Sequence, residues 1–97
     1  MTRLIRSIDD LVAAVRARRD ELNIPHELID HLAGFQSGYT SKLLAPEPMK
    51  GLGPMSLPGL LGALGVALVL VEDSAQADRV RDKWIPRKRP QRKPAAD

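Results

Sequence analysis

The chain has no cysteine, which excludes disulfides, thiol catalysis and thiolate-held metal. Aromatic residues are only 3% of its 97 residues, so a core has to be built from Leu, Val, Ile and Ala. No apolar run of signal-peptide length opens the sequence MTRLIRSIDD, and a cytoplasmic protein is the expectation. No internal repeat is visible. Catalytic groups are equally scarce. His26 and His31 are not at the i, i+4 spacing of a helical metal pair. No acidic ligand set, nucleophile elbow or phosphate-cradling glycine loop accompanies them. Neither an enzyme, nor a cofactor, nor a metal site is expected.

Charge is missing altogether from residues 51–71, which raises the question of a membrane span. The strongly apolar part, 57–71, falls short of the ~20 residues a span needs. It also carries Pro58 and three glycines, so no membrane segment is expected. What the composition does support is one small domain with a modest core, plus tails. A net charge of +3 and a pI near 9.7 suit a polyanionic partner, and the excess gathers at the C-terminus.

The chain is organised around residues 24–44, IPHELIDHLAGFQSGYTSKLL. Two short helices joined by a tight glycine turn are predicted. The first begins at Pro25 or His26, where a missing amide hydrogen does no harm, and ends at Ala33. Gly34 supplies the positive φ that a helix C-terminus favours. The second restarts at about Gln36 or Ser37, with Ser37 as N-cap, and runs to Leu44. Tyr39 and Leu43 mark its buried face, leaving Ser37, Gly38, Ser41 and Lys42 elsewhere. A short, braced helix with small or hydrogen-bonding outward residues fits a major groove.

This stretch resembles the helix-turn-helix of the phage Cro/repressor-type family. The residues that carry the resemblance are RRDELNIPHEL leading in, the turn LAGFQSG, and YTSKLL; with flanking helices it covers roughly residues 8–66. It implies a mostly α, lambda-repressor-like bundle and a sequence-specific DNA-binding regulator. Carried over by position, Gln36, Ser37, Gly38, Tyr39, Ser41 and Lys42 are the base readers. His26 and Glu27, at the start of the first motif helix, stand near a DNA phosphate. Three positions depart from the family pattern. Asp30 stands where a small Ala is usual, Thr40 where Ile or Val faces the core, and Leu44 where a Glu commonly pairs with the equivalent of Arg19. The first two departures can compensate each other through a hydrogen bond from Thr40 to Asp30, since a buried carboxylate without a partner would be costly. Arg19 is left to pair with Glu47 or to remain solvated.

Around the motif, Ser7 is the expected N-cap of a first helix, with Asp9 and Asp10 at its positive end. Ile8, Leu11, Val12 and Val15, extended by Leu22, give it a buried face. Arg16, Arg18 and Arg19 favour its C-terminal end, as solvated charges or phosphate contacts, and Asn23 closes it. Residues 1–6 are expected to fray. Residues 45–54 form a proline- and glycine-rich loop, in which Lys50 touches the DNA backbone or the length simply has no function. A fourth helix starts at Ser56, with Leu57, Leu60, Leu61 and Leu64 as its stripe; Gly59 and Gly62 allow close approach, and Gly65 ends it.

Residues 66–71, VALVLV, read as one β-strand. No second strand is visible in the sequence to pair with it. A copy from another chain across a twofold axis would, which makes Val66, Leu68, Val69, Leu70 and Val71 dimerisation residues and matches a palindromic DNA site. The alternative is an extended segment packed on its own bundle. Some antitoxin repressors that pair with kinase toxins resemble this order of bundle and strand. A last helix, from Ala75 to about Trp84, should dock with Trp84 as its anchor and stop at Pro86. In the basic tail, Arg87, Lys88, Arg89, Arg92 and Lys93 follow DNA phosphates or merely aid solubility.

The domains expected are therefore 7–65, DNA-binding; 66–85, strand and helix for dimerisation; and 86–97, a basic tail. The function expected is a homodimeric repressor of double-stranded DNA, nucleoid-associated when bound. An antitoxin with a toxin partner, or a protein-interaction module on the same fold, stands as the alternative.

Overall fold

A computed structural model describes residues 2–47 and 51–87. The described chain is helical: α1 (Ile8–Leu22), α2 (His26–Ala33), α3 (Tyr39–Leu43), α4 (Leu57–Ala63) and α5 (Ser74–Val80), followed by a 3₁₀ turn at Arg81–Lys83. No described helix is long and apolar enough to cross a membrane.

Local signals set the ends of α1. The Ser7 hydroxyl accepts from the Asp10 amide at 3.0 Å, and the Asp10 carboxylate accepts from the Arg6 amide at 2.9 Å. This is a capping box shifted back by one residue. Asn23 ends the helix in the left-handed region, φ 52°.

The first four helices enclose one core of Leu11, Val15, Ile29, Leu43, Leu44, Leu60 and Leu64. Of the face expected for α1, Leu11 and Val15 are buried and Val12 packs beside them, but Ile8 and Leu22 are exposed. α2 lies against both α3 and α4. Gly59 makes the α2–α4 approach: a Cβ there would sit 3.1 Å from the Ala33 carbonyl oxygen. Gly62, expected to do the same, faces open space.

The arginines of α1 were expected to be solvated or to meet phosphate. They instead serve as caps for carbonyls that helix ends leave unpaired. Arg16 donates to the carbonyls of Leu44 (2.8 Å) and Ala45 (2.5 Å), beyond α3. Arg18 donates to Leu64 O at 3.0 Å, at the end of α4. Arg19 donates to Ile24 O at 2.8 Å and pairs with Asp20 rather than with Glu47.

The flanks of the bundle differ in part from expectation. Residues 2–6, expected to fray, form no helix and are exposed; they lie along α1, Arg3 pairing with Glu21 and Arg6 with Asp73 at 2.8 Å. No strand is present among the described residues; the strand expected at 66–71 is one that pairs with a second chain, and a single chain offers its backbone no ladder. The last helix is shorter than expected. Asp73 caps it, accepting from the Gln76 amide at 3.3 Å. Trp84, expected to anchor it, is 59% exposed and follows the 3₁₀ turn at Arg81–Lys83 where the expected helix would have continued.

Candidate nucleic-acid interface

The site is built from α2, its glycine turn and α3. At the end of α2, Gly34 takes φ 73°, its amide reaching His31 O at 3.4 Å while Phe35 N reaches Asp30 O at 2.8 Å. These are the paired bonds of a Schellman cap. The chain then turns through Gln36–Tyr39, with Tyr39 N bonded to Gln36 O at 3.1 Å.

Helix α3 starts at Tyr39 behind Gly38, later than the expected Gln36 or Ser37, and Ser37 is not its cap. The reason is Asp30. Its Oδ2 accepts from the Gly38 amide at 2.9 Å, and its Oδ1 accepts from the Thr40 amide at 2.8 Å and the Thr40 hydroxyl at 2.6 Å. A carboxylate on α2 thus caps the N-terminus of α3 across the motif, and Gly38 at φ 85° aims its amide at it. The expected Thr40–Asp30 bond is present, with two amides added to it. Both residues are buried. Burial pushes the Asp30 carboxyl up, but the Thr40 hydroxyl, the Thr40 and Gly38 amides and the nearby His26 outweigh it, and hold it below the usual carboxylate range.

Tyr39 is fixed from the inside. Its ring meets Phe35 edge-on, with centroids 4.9 Å apart, and its hydroxyl is 2.6 Å from the Ser56 hydroxyl at the head of α4. The ring and hydroxyl both face the bundle, so of the expected readers Tyr39 is a brace. Gly38 is half-buried, whereas Gln36, Ser37, Ser41 and Lys42 are exposed. His26, at the start of α2, has Nδ1 3.0 Å from Ser41 Oγ, linking the two helices at the surface. Glu27 is exposed beside it, and His31 is exposed one turn further on.

Lys50, Lys88, Arg89, Arg92 and Lys93 lie outside the described residues; Arg87 is described and exposed. Of the expected dimerisation residues, Val66 packs on the core, while Leu68, Val69, Leu70 and Val71 are exposed. Two participants were not foreseen: Arg16, which holds the far end of α3, and Ser56, which receives Tyr39. Arg16 gave no sequence signal, because three arginines in four positions do not say which carbonyl each will meet.

Among the described residues, no three His, Asp or Glu side chains converge as a metal site would need. No protein-family model, curated protein or solved structure matches this chain.

Proposed function

We propose that this chain is a sequence-specific regulator of double-stranded DNA, acting as a homodimeric repressor on a palindromic site. The observation that carries the reading is the state of α3. It is capped by Asp30 at one end, clamped by Arg16 at the other, and pinned through Tyr39 to Ser56. Its outward residues are left polar and exposed. A short helix held this firmly, with donors and acceptors facing out, can enter a major groove without losing further order on binding.

Within this reading, Gln36 reads adenine bidentately and Lys42 reads guanine or meets a phosphate, with Ser37 and Ser41 as smaller donors and acceptors. Amides at His26 and Glu27, opening the eight-residue α2, receive a backbone phosphate. Lys50 and the tail from Arg87 to Lys93 add affinity that is blind to sequence.

Retention of random-sequence duplexes by Lys42→Ala and Arg89→Ala tests this division. Lys42→Ala should change which sequences are retained, at a cost of about 1–3 kcal/mol for the preferred ones. Arg89→Ala should weaken all sequences alike. Identical behaviour of the two variants across sequences would contradict the proposal.

A further inference from the structure

On the face of the bundle away from α3, residues 2–6 and 66–71 form the two walls of a groove of 850 Å³, floored by Leu11, Val15 and Leu61. The walls run in the same direction. At one end Arg3 meets Glu21, whose neighbour Arg18 (3.6 Å away) sits on the Leu64 carbonyl just before the second wall begins. At the other end Arg6 meets Asp73, just after that wall ends.

Neither wall is helical, and neither residues 2–5 nor residues 67–72 make a backbone hydrogen bond to any described residue. Large aliphatic side chains on them are left open to water: Leu4, Val69 and Leu70 are 60%, 80% and 100% exposed. Unpaired backbone and exposed aliphatic side chains together are the liability of a bare strand edge.

We infer that the groove receives residues 66–71 of a second copy of this chain, and that the exchange is reciprocal. The geometry selects this occupant. A strand entering between two walls of equal direction can run antiparallel to both, making two antiparallel ladders at once. A twofold axis between the two copies of 66–71 makes those segments antiparallel to each other. Each then lies between its partner's two walls. The result is a four-stranded antiparallel sheet, ordered 2–6, 66–71 of the second copy, 66–71, and 2–6 of the second copy.

The sequence suits each position. Residues 66–71 carry no charge and become the central strands. Residues 2–6 are short and carry Arg3 and Arg6, as edge strands commonly do. Glu72, exposed and without an ion pair among the described residues, is brought by the antiparallel alignment to the end where the other copy's Arg3 and Arg18 lie. This arrangement rests on the homodimer of the proposed function and not on its DNA contacts.

Residue-resolved amide hydrogen exchange on the full chain, beside sedimentation at micromolar concentration, tests it. A dimer is expected, with slow exchange in residues 67–71 and in whichever of the Leu4 and Ile5 amides faces the sheet. Leu70→Arg, at a side chain fully exposed in the single chain, should give a monomer of unchanged helical circular dichroism and lose protection in both segments. A dimer in which 67–71 are slow but Leu4 and Ile5 exchange freely would overturn the four-stranded sheet, and so would a monomer. The DNA reading fails separately: a dimer with the expected protection that selects no duplex sequence would leave the sheet standing and remove the operator.

Discussion

The Asp30 carboxylate stands 2.6 Å from the Thr40 hydroxyl and takes the amides of Thr40 and Gly38 as well, so one buried acid from α2 is the N-terminal cap of α3. A five-residue helix has little stability of its own. Its position therefore depends on caps supplied from elsewhere in the bundle. Asp30→Ala removes the acceptor for two amides and a buried hydroxyl, and should cost about 2–4 kcal/mol in urea unfolding. Unchanged stability would contradict the capping role.

The same residue sets an acid response. Asp30 has a carboxyl held below its usual range in the folded chain, so below about pH 4 the unfolded chain binds the proton more readily. The stabilisation is fully present above the unfolded value and is lost as pH falls through the folded one. Asp73, held low by Arg6 and the Gln76 amide, acts in the same direction, but as a solvent-screened surface pair it adds little. Unfolding curves at pH 7, 4 and 3 should therefore show the wild type losing its advantage over Asp30→Asn as acid is added.

At the other end of α3, Arg16 spans two carbonyls with one planar guanidinium. Arg16→Lys keeps the charge but cannot hold that fork. It should recover only part of the roughly 1–2 kcal/mol that Arg16→Ala loses, by thermal or urea unfolding. Full recovery by lysine would mean that charge alone matters here.

Two glycines of α4 should respond in opposite ways to the same change. Gly59→Ala drives a methyl against the Ala33 backbone carbonyl at 3.1 Å. Because that carbonyl cannot move without moving α2, a loss of about 1 kcal/mol is expected despite the gain in helix propensity. Gly62→Ala meets nothing within 4 Å and should stabilise by roughly 0.5–1 kcal/mol. Melting temperatures of the two variants check the pair.

Much of this architecture was legible in the sequence, wherever a residue's role is local. Ser7, Asn23, Gly34 and Gly65 mark helix ends by their own backbone preferences, and Leu60 and Leu64 by their spacing. The Asp30–Thr40 bond was legible because two unusual polar residues face each other across a known kind of crossing. What could not be read depends on distant partners. Ser37 looks like a cap, but Asp30 supplies the cap from eight residues before Gly38 and so moves the start of α3. Trp84 looks like an anchor, but an indole docks only if the chain brings it back to the bundle. Residues 66–71 have a strand's composition, but pairing needs a second backbone that the sequence of one chain does not contain.

Enrichment of random duplex DNA by the purified protein at near-physiological salt bears on the proposed DNA-reading role of the outer face of α3. Recovery of a palindrome whose half-sites lie about one helical turn apart is expected. Salt-sensitive binding with no recovered consensus would contradict it, leaving the basic tail as the binder and the exposed face of α3 for a partner other than DNA.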